Sequence, residues 1–169
     1  MQQGFYLNRN FDARWKLLEA AKDRIAVAET LDSLMETVRS TVRATCSADG
    51  VTFVLREGDK CHYVEEDAIA PLWKGQRFPM TACISGWCMH NARTAAIGDI
   101  FADPRIPHDV YRRTFVKSLI MAPVSCESPV AALGAYWCDA RNFSEREIAT
   151  VEALASAVGD ALRVVRAAA

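Results

Sequence analysis

Apolar positions recur at three- and four-residue steps through the first part of the chain. Over residues 11–28, Phe11, Trp15, Leu18, Ile25 and Ala26 share one face with Lys22, the spacing of an amphipathic helix. Thr30 is the predicted N-cap of a second helix, because its hydroxyl can accept from the free amides of a first turn. That helix runs to about Thr45, with Leu31, Leu34, Met35, Val38, Val42 and Cys46 in a single stripe. Ala48-Asp49-Gly50 is a turn signal.

The period then changes. Gly50 to Arg56 is β-branched and aromatic, Glu57-Gly58-Asp59 makes a tight turn, and Lys60 to Glu66 alternates, so a β-hairpin is predicted. Residues 67–82 show no period but carry Pro71, Trp73, Gly75, Phe78 and Pro79. A stretch of this length with large aromatics is expected to fold over as a lid. Ser85 to Ala92 predicts a short helix led in by Cys83-Ile84, Ala95 to Ile100 a short strand, Asp103 to Pro107 a loop, and His108 to Thr114 a helical turn. Two apolar strands follow at 117–125 and 129–139, connected through Cys126-Glu127-Ser128. Ser144 and Glu147 form a capping box that opens the last helix. Its stripe, Ile148, Val151, Leu154, Ala155, Val158, Leu162 and Val165, runs nearly two turns beyond the expected need of the core. This order predicts an α+β fold in one domain spanning 1–169. A central antiparallel sheet has the N- and C-terminal helices on one face and a lid with short helices on the other.

Composition narrows the function classes. The chain has 169 residues and a net charge of -1, so no basic surplus points to nucleic acid. No apolar run reaches the ~18 residues of a membrane span, and the N-terminus lacks the pattern of a signal peptide. A cytoplasmic protein is expected. The six cysteines, Cys46, Cys61, Cys83, Cys88, Cys126 and Cys138, lie mostly among apolar neighbours and read as buried free thiols. Without a C-x-x-C pair, and with His62, His90 and His108 far apart, no metal site is indicated.

Several ordered segments resemble a known family. They are Ile84-Ser85-Gly86-Trp87, Thr94 to Ile100, Asp103-Pro104-Arg105, Tyr111-Arg112, Lys117-Ser118-Leu119 to Pro123-Val124, Ala132 to Trp137, and Phe143-Ser144. In series they resemble a GAF domain, most similar to those of bacterial sensor histidine kinases and related signalling proteins. The resemblance spans about residues 25–165, leaving 1–24 as an N-terminal helix extension. It implies a GAF/PAS-like sheet of five to six strands with a ligand pocket under the lid. It also implies a homodimer through the terminal helices and a kinase or other output domain elsewhere in a longer protein.

The family's known ligands can be tested against these residues. Cyclic-nucleotide-binding members resemble one another at an Asn-Lys pair ahead of a Phe and acidic residues; Phe143 matches and Glu147 is a fair stand-in for the acid, but the pair is missing. The bilin-attaching Cys is absent, its place being taken by Ile106-Pro107-His108-Asp109, and Cys61-His62 lies in a hairpin strand instead. The cofactor is therefore unassigned. Free methionine sulfoxide reductases, an enzymatic branch, need two pocket cysteines. Cys83 and Cys88 are the redox candidates, with His90 or Arg93 near enough to lower a thiol pKa.

The primary expectation is a non-enzymatic sensor of a small molecule. The pocket candidates are Trp73, Phe78, Cys83, Ser85, Trp87, Asp99, Tyr111, Phe115, Ser118 and Tyr136. A thiol redox enzyme or sensor using Cys83 or Cys88, and a dimerisation module with no ligand, are the alternatives.

Overall fold

The structure is a computed structural model that describes residues 3–125 and 128–168, with side chains from residue 13 onward. The Phe11 side chain, Cys126 and the connection through Glu127 lie outside the described residues. Five helices and six strands are present among those described. They are α1 (Gln3–Ala26), α2 (Leu31–Cys46), β1 (Gly50–Glu57), β2 (Lys60–Ala68), β3 (Arg77–Pro79), α3 (Ile84–Asn91), β4 (Ala95–Ile97), α4 (His108–Tyr111), β5 (Ser118–Val124), β6 (Ala131–Trp137) and α5 (Glu145–Ala167). The strands form one antiparallel sheet in the order β3-β2-β1-β6-β5-β4.

Alternation along the central strands divides the protein into two cores. From β5 and β6, Ile120, Ala122, Leu133, Ala135 and Trp137 face α1, α2 and α5. Leu119, Met121, Ala132 and Tyr136 face α3, the lid and the loop before β5. Every residue of β5 and β6 is buried. This confirms the α+β layering expected from the sequence, with helices on one face and lid on the other.

Local chemistry sets the boundaries. Thr30 caps α2 by accepting from the Ser33 amide at 3.1 Å, and Ser33 Oγ accepts from the Thr30 amide in return. The predicted box at α5 is also formed: Ser144 Oγ accepts from the Glu147 amide, and Glu147 accepts from the Ser144 amide at 2.9 Å. The β1–β2 hairpin closes through Gly58 at φ +63°, the left-handed backbone that two-residue hairpins require.

Three expectations are corrected. The α5 stripe does not outrun the core: Leu162 and Val165 are buried, because α1 and α5 pack along each other. Residues 67–82 are not all irregular, since they include the end of β2, edge strand β3 and a 3-10 turn at Met80–Ala82. A three-residue strand ending in Pro79 has too short a period to read, and proline is tolerated at a sheet edge. The strand expected at 95–100 stops at Ile97, where the Gly98 carbonyl turns away to accept from the Arg141 amide.

The 3-10 turn meets α3 closely at Gly86, where a Cβ would overlap the Met80 carbonyl oxygen. Gly86→Ala is expected to lower stability by about 1–3 kcal/mol, read from urea unfolding; an unchanged midpoint would refute this contact.

Candidate functional site

The lid is anchored by one carboxylate. Glu66, near the end of β2, accepts from three successive amides, Leu72 at 3.1 Å and Trp73 and Lys74 at 2.8 Å each. A loop that covers an apolar sheet face must satisfy its own amides, and Glu66 does this from below. Trp73 is thereby held over the sheet, 4% exposed. Its ring meets Tyr63, Tyr111 and Tyr136 edge-on, with centroids 5.6, 4.8 and 5.7 Å away. Tyr136 reaches back across the sheet, its hydroxyl 2.8 Å from Thr52 Oγ1. A Cβ on Gly134 would collide with the Tyr136 ring, so the glycine is what lets that ring lie along β6.

These aromatics leave little space. The crevice under the lid, lined by Tyr63, Trp73, Phe78, Ala82, Cys83, Pro107, Val110 and Tyr111, has a volume of about 10 Å³. That is room for about one water, whereas ligand pockets span roughly 300–1,000 Å³. A larger concavity, about 630 Å³, lies instead on the helical face between α1 and the start of α5. It is an open helix–helix groove with Arg14, Glu19, Lys22 and Glu147 in its walls.

Of the ten pocket candidates, Trp73, Phe78, Cys83 and Tyr111 line the crevice, and Ser85 and Tyr136 stand behind them. The other four are placed elsewhere. Trp87 lies under the Arg105 guanidinium at 4.4 Å. Asp99 accepts from the Phe101 amide, Phe115 packs against Gly50, and Ser118 donates to the Asp139 carbonyl. Asp103 pairs with Arg105 in its own loop, and His108 Nε2 sits 3.1 Å from the Asp103 carbonyl oxygen.

One thiol, Cys83, borders the crevice, and a second, Cys61, is buried in the same cluster. Cys83 is the N-cap residue of α3. Ser85 donates to Cys83 Sγ at 3.2 Å, and Tyr63, 3.0 Å from Ser85 Oγ, donates to Ser85. Cys83 Sγ also lies 3.5 Å from the Pro79 carbonyl oxygen, beside the β2–β3 pairing that sets Cys61 opposite Phe78, and Cys61 is buried in the same cluster. Donation from Cys61 outweighs burial, and Ser85 and the amides of Gly86 and Ser85 add to it. Together they hold the Cys83 thiol well below the ordinary thiol range. Cys61 moves the opposite way, because it donates to Cys83 and is itself desolvated. The donors are thus not His90 or Arg93, both of which are exposed.

Cys88, the other redox candidate, points away from this cluster. It is fully buried, bonds to the Met121 carbonyl at 3.4 Å, and burial pushes its thiol up to about 12. Cys46 is likewise pushed up to about 12, and Cys138 is exposed. The residues that sequence reasoning missed are Cys61, Tyr63 and Glu66. The first two lie two residues apart on one strand face, a period-2 signal that was legible. His62 between them turns outward to Glu57, 2.6 Å away, and to Arg77. Among the described residues, Asp49, Cys138 and Asp139 also group their ligand atoms within 4.8 Å of one another. Asp49 is already engaged by the Cys138 amide at 2.8 Å.

Glu66→Ala leaves three lid amides unsatisfied, so it should lower stability by roughly 1–3 kcal/mol and red-shift Trp73 emission; a variant with wild-type emission and melting would refute the anchor. The Cys83 shift predicts a pH profile. A depressed thiol stays anionic as pH falls until its folded pKa is crossed. The ultraviolet absorbance of a thiolate should therefore persist in the folded protein at pH values where unfolded protein has lost it, and Cys83→Ser should abolish it. A thiolate signal that appears only above the ordinary thiol range would overturn the assignment.

No curated protein sequence matches this chain. Solved structures do. The free methionine-R-sulfoxide reductase of Neisseria meningitidis, in complex with its substrate, is 17% identical with a TM-score of 0.80, over 92% of each chain. The GAF domain of an Acinetobacter phosphoenolpyruvate-protein phosphotransferase is 12% identical, TM-score 0.78, over 92% of this chain and 96% of that one. A putative GAF sensor protein from Burkholderia vietnamiensis is 14% identical, TM-score 0.78, over 92% and 97%. At these identities the likeness establishes the fold alone. The sequence description of the GAF domain matches residues 27–163, most of the chain, and the protein therefore belongs to the GAF domain family.

Proposed function

We propose that this chain is a small-molecule-sensing or regulatory module of a bacterial signal-transduction protein. A ligand held between sheet and lid would change the packing of α1 and α5, and through them a homodimer partner or an output domain such as a two-component histidine kinase. One observation carries the reading: the crevice rests on β6, whose residues alternate between the two cores. Tyr136 touches Trp73, while its neighbours Ala135 and Trp137 pack against the helices. A ligand that moves the first must press on the second, because buried side chains fill their space.

The closed crevice sets a threshold. Separating Trp73 from its three ring partners costs roughly 1.5–4.5 kcal/mol at ~0.5–1.5 per pair, so a ligand must exceed that before affinity appears. The coupling is then limited by how much more tightly the ligand binds the open state. On the helical side, Trp15, Val27 and Val164 are exposed, which supports contact with a second copy. The reductase reading with Cys83 and Cys88 is weaker, since Cys88 does not border the crevice.

A thermal-shift screen of reduced protein against nucleotides, amino acids, aromatic acids and nitrate tests the proposal. At a hundredfold excess over Kd, a true ligand should raise Tm by roughly 5–10 °C, and Trp73→Ala should alter that response. Light scattering should show a dimer. A dimer with no responding ligand would favour the ligand-free module instead. Turnover of free methionine sulfoxide that is lost in Cys83→Ser would favour the enzyme.

A further inference from the structure

Cys61 and Cys83 are buried in one cluster under the lid, and of the two only Cys83 borders the crevice. Cys61 sits on β2 opposite Phe78 of β3, and Cys83 lies four residues beyond Pro79 at the head of α3. Ligand sensing needs no pair of thiols there. We propose that Cys61 and Cys83 form a peroxide-reactive dithiol, in which hydrogen peroxide oxidises Cys83 and Cys61 resolves it as an intramolecular disulfide. The inference does not depend on the sensing role.

Exposure separates the roles. Cys83 is 8% exposed and borders the crevice, whereas Cys61 is 0% exposed and does not. An oxidant therefore reaches Cys83 first. The crevice admits a molecule about the size of water. Hydrogen peroxide is close to that size, and a bulky disulfide such as oxidised glutathione is not.

Hydrogen bonding supplies the nucleophile. Tyr63 donates to Ser85 and Ser85 donates to Cys83, so the sulfur receives that chain together with the Cys61 thiol. The titratable groups packed around it are Cys61 and Tyr63 from β2, Tyr111 from α4 and Tyr136 from β6. Burial keeps the three phenols protonated, so they bring no negative charge against a thiolate. When neutral, Cys83 donates to the Pro79 carbonyl at 3.5 Å.

The chemistry balances. The Cys83 thiolate attacks one peroxide oxygen, the O–O bond breaks, and hydroxide leaves and takes a proton to become water. Cys83 is then a sulfenic acid. The Cys61 sulfur attacks Cys83 Sγ, the S–O bond breaks, and the Cys61 proton leaves with the hydroxyl as a second water. Two thiols and one peroxide give one disulfide and two waters. The new bond ties β2 to the start of α3 and removes the acceptor that Ser85 uses, so oxidation fixes one wall of the crevice. Cys88 takes no part, because it is fully buried and bonded to the Met121 carbonyl.

Peptide mapping of the whole chain tests this. Folded, reduced protein is treated with hydrogen peroxide, quenched with catalase, blocked with N-ethylmaleimide under denaturing conditions and digested without reductant. The expected product is a linked pair of peptides carrying Cys61 and Cys83, two hydrogens lighter than the free pair and released by dithiothreitol. Cys83→Ser should slow peroxide consumption at pH 7 about tenfold or more, since an ordinary thiol is only a few per cent ionised there. In Cys61→Ala, dimedone should trap the Cys83 sulfenic acid, and Cys88→Ala should behave as wild type. Three results would overturn the proposal: wild-type Cys83 recovered as sulfinic acid with Cys61 free, an initial disulfide through Cys46, Cys126 or Cys138, or wild-type peroxide consumption by Cys83→Ser. The mapping uses unmutated protein, so a variant that folds poorly does not affect it. The sensing role is read separately, from the ligand screen of reduced protein.

Discussion

A sheet whose central strands are buried on both faces imposes the rest of this structure. An antiparallel sheet can leave one face in water, but β5 and β6 have apolar side chains on both. Leaving either face open would forfeit roughly 25 cal/mol for each Å² of apolar surface. Helices cover one side. The other is covered by short segments that cannot satisfy all their own backbone groups, so the lid needs polar anchors along its length where helices need them only at their ends.

Those anchors place the chemistry. Glu66 collects three lid amides and so sets the depth of Trp73. Tyr63 spans from the ring cluster to Ser85, which joins lid packing to the thiol network. The same side chains therefore close the crevice and orient the donors on Cys83. A change that loosens the aromatic cluster also disturbs the sulfur. Conversely, a change of redox state at Cys83 alters what Tyr63 and Ser85 hold.

The reading of Cys83 and Cys88 as partners shows how sequence proximity misleads. Five residues apart across the first turn of α3, they point into different surroundings: one sulfur receives hydrogen bonds, while the other lies against a strand carbonyl. Cys61, 22 residues from Cys83, is the actual neighbour because the β2–β3 pairing folds the lid back on itself. A hairpin return of this kind leaves no periodic trace.

Sequence by itself determined the layers. Helical stripes, strand alternation, the Thr30 and Ser144 caps and the Gly58 turn are local preferences, set within a few residues, and they agree with the final fold except at stripe members such as Trp15 and Leu31, which the structure leaves exposed. The family was legible too, because its motifs are ordered along the chain. Tertiary structure alone decided which candidate residues converge, that α1 covers α5 to its last turns, and that the crevice is closed by its own aromatics. Each of these depends on contacts between residues far apart in the chain, so its energy exists only once the layers have packed. For that reason the hydrogen-bonded group of Cys83, Ser85 and Tyr63 beside the crevice, with Cys61 buried in the same cluster, could be recognised only in the folded protein.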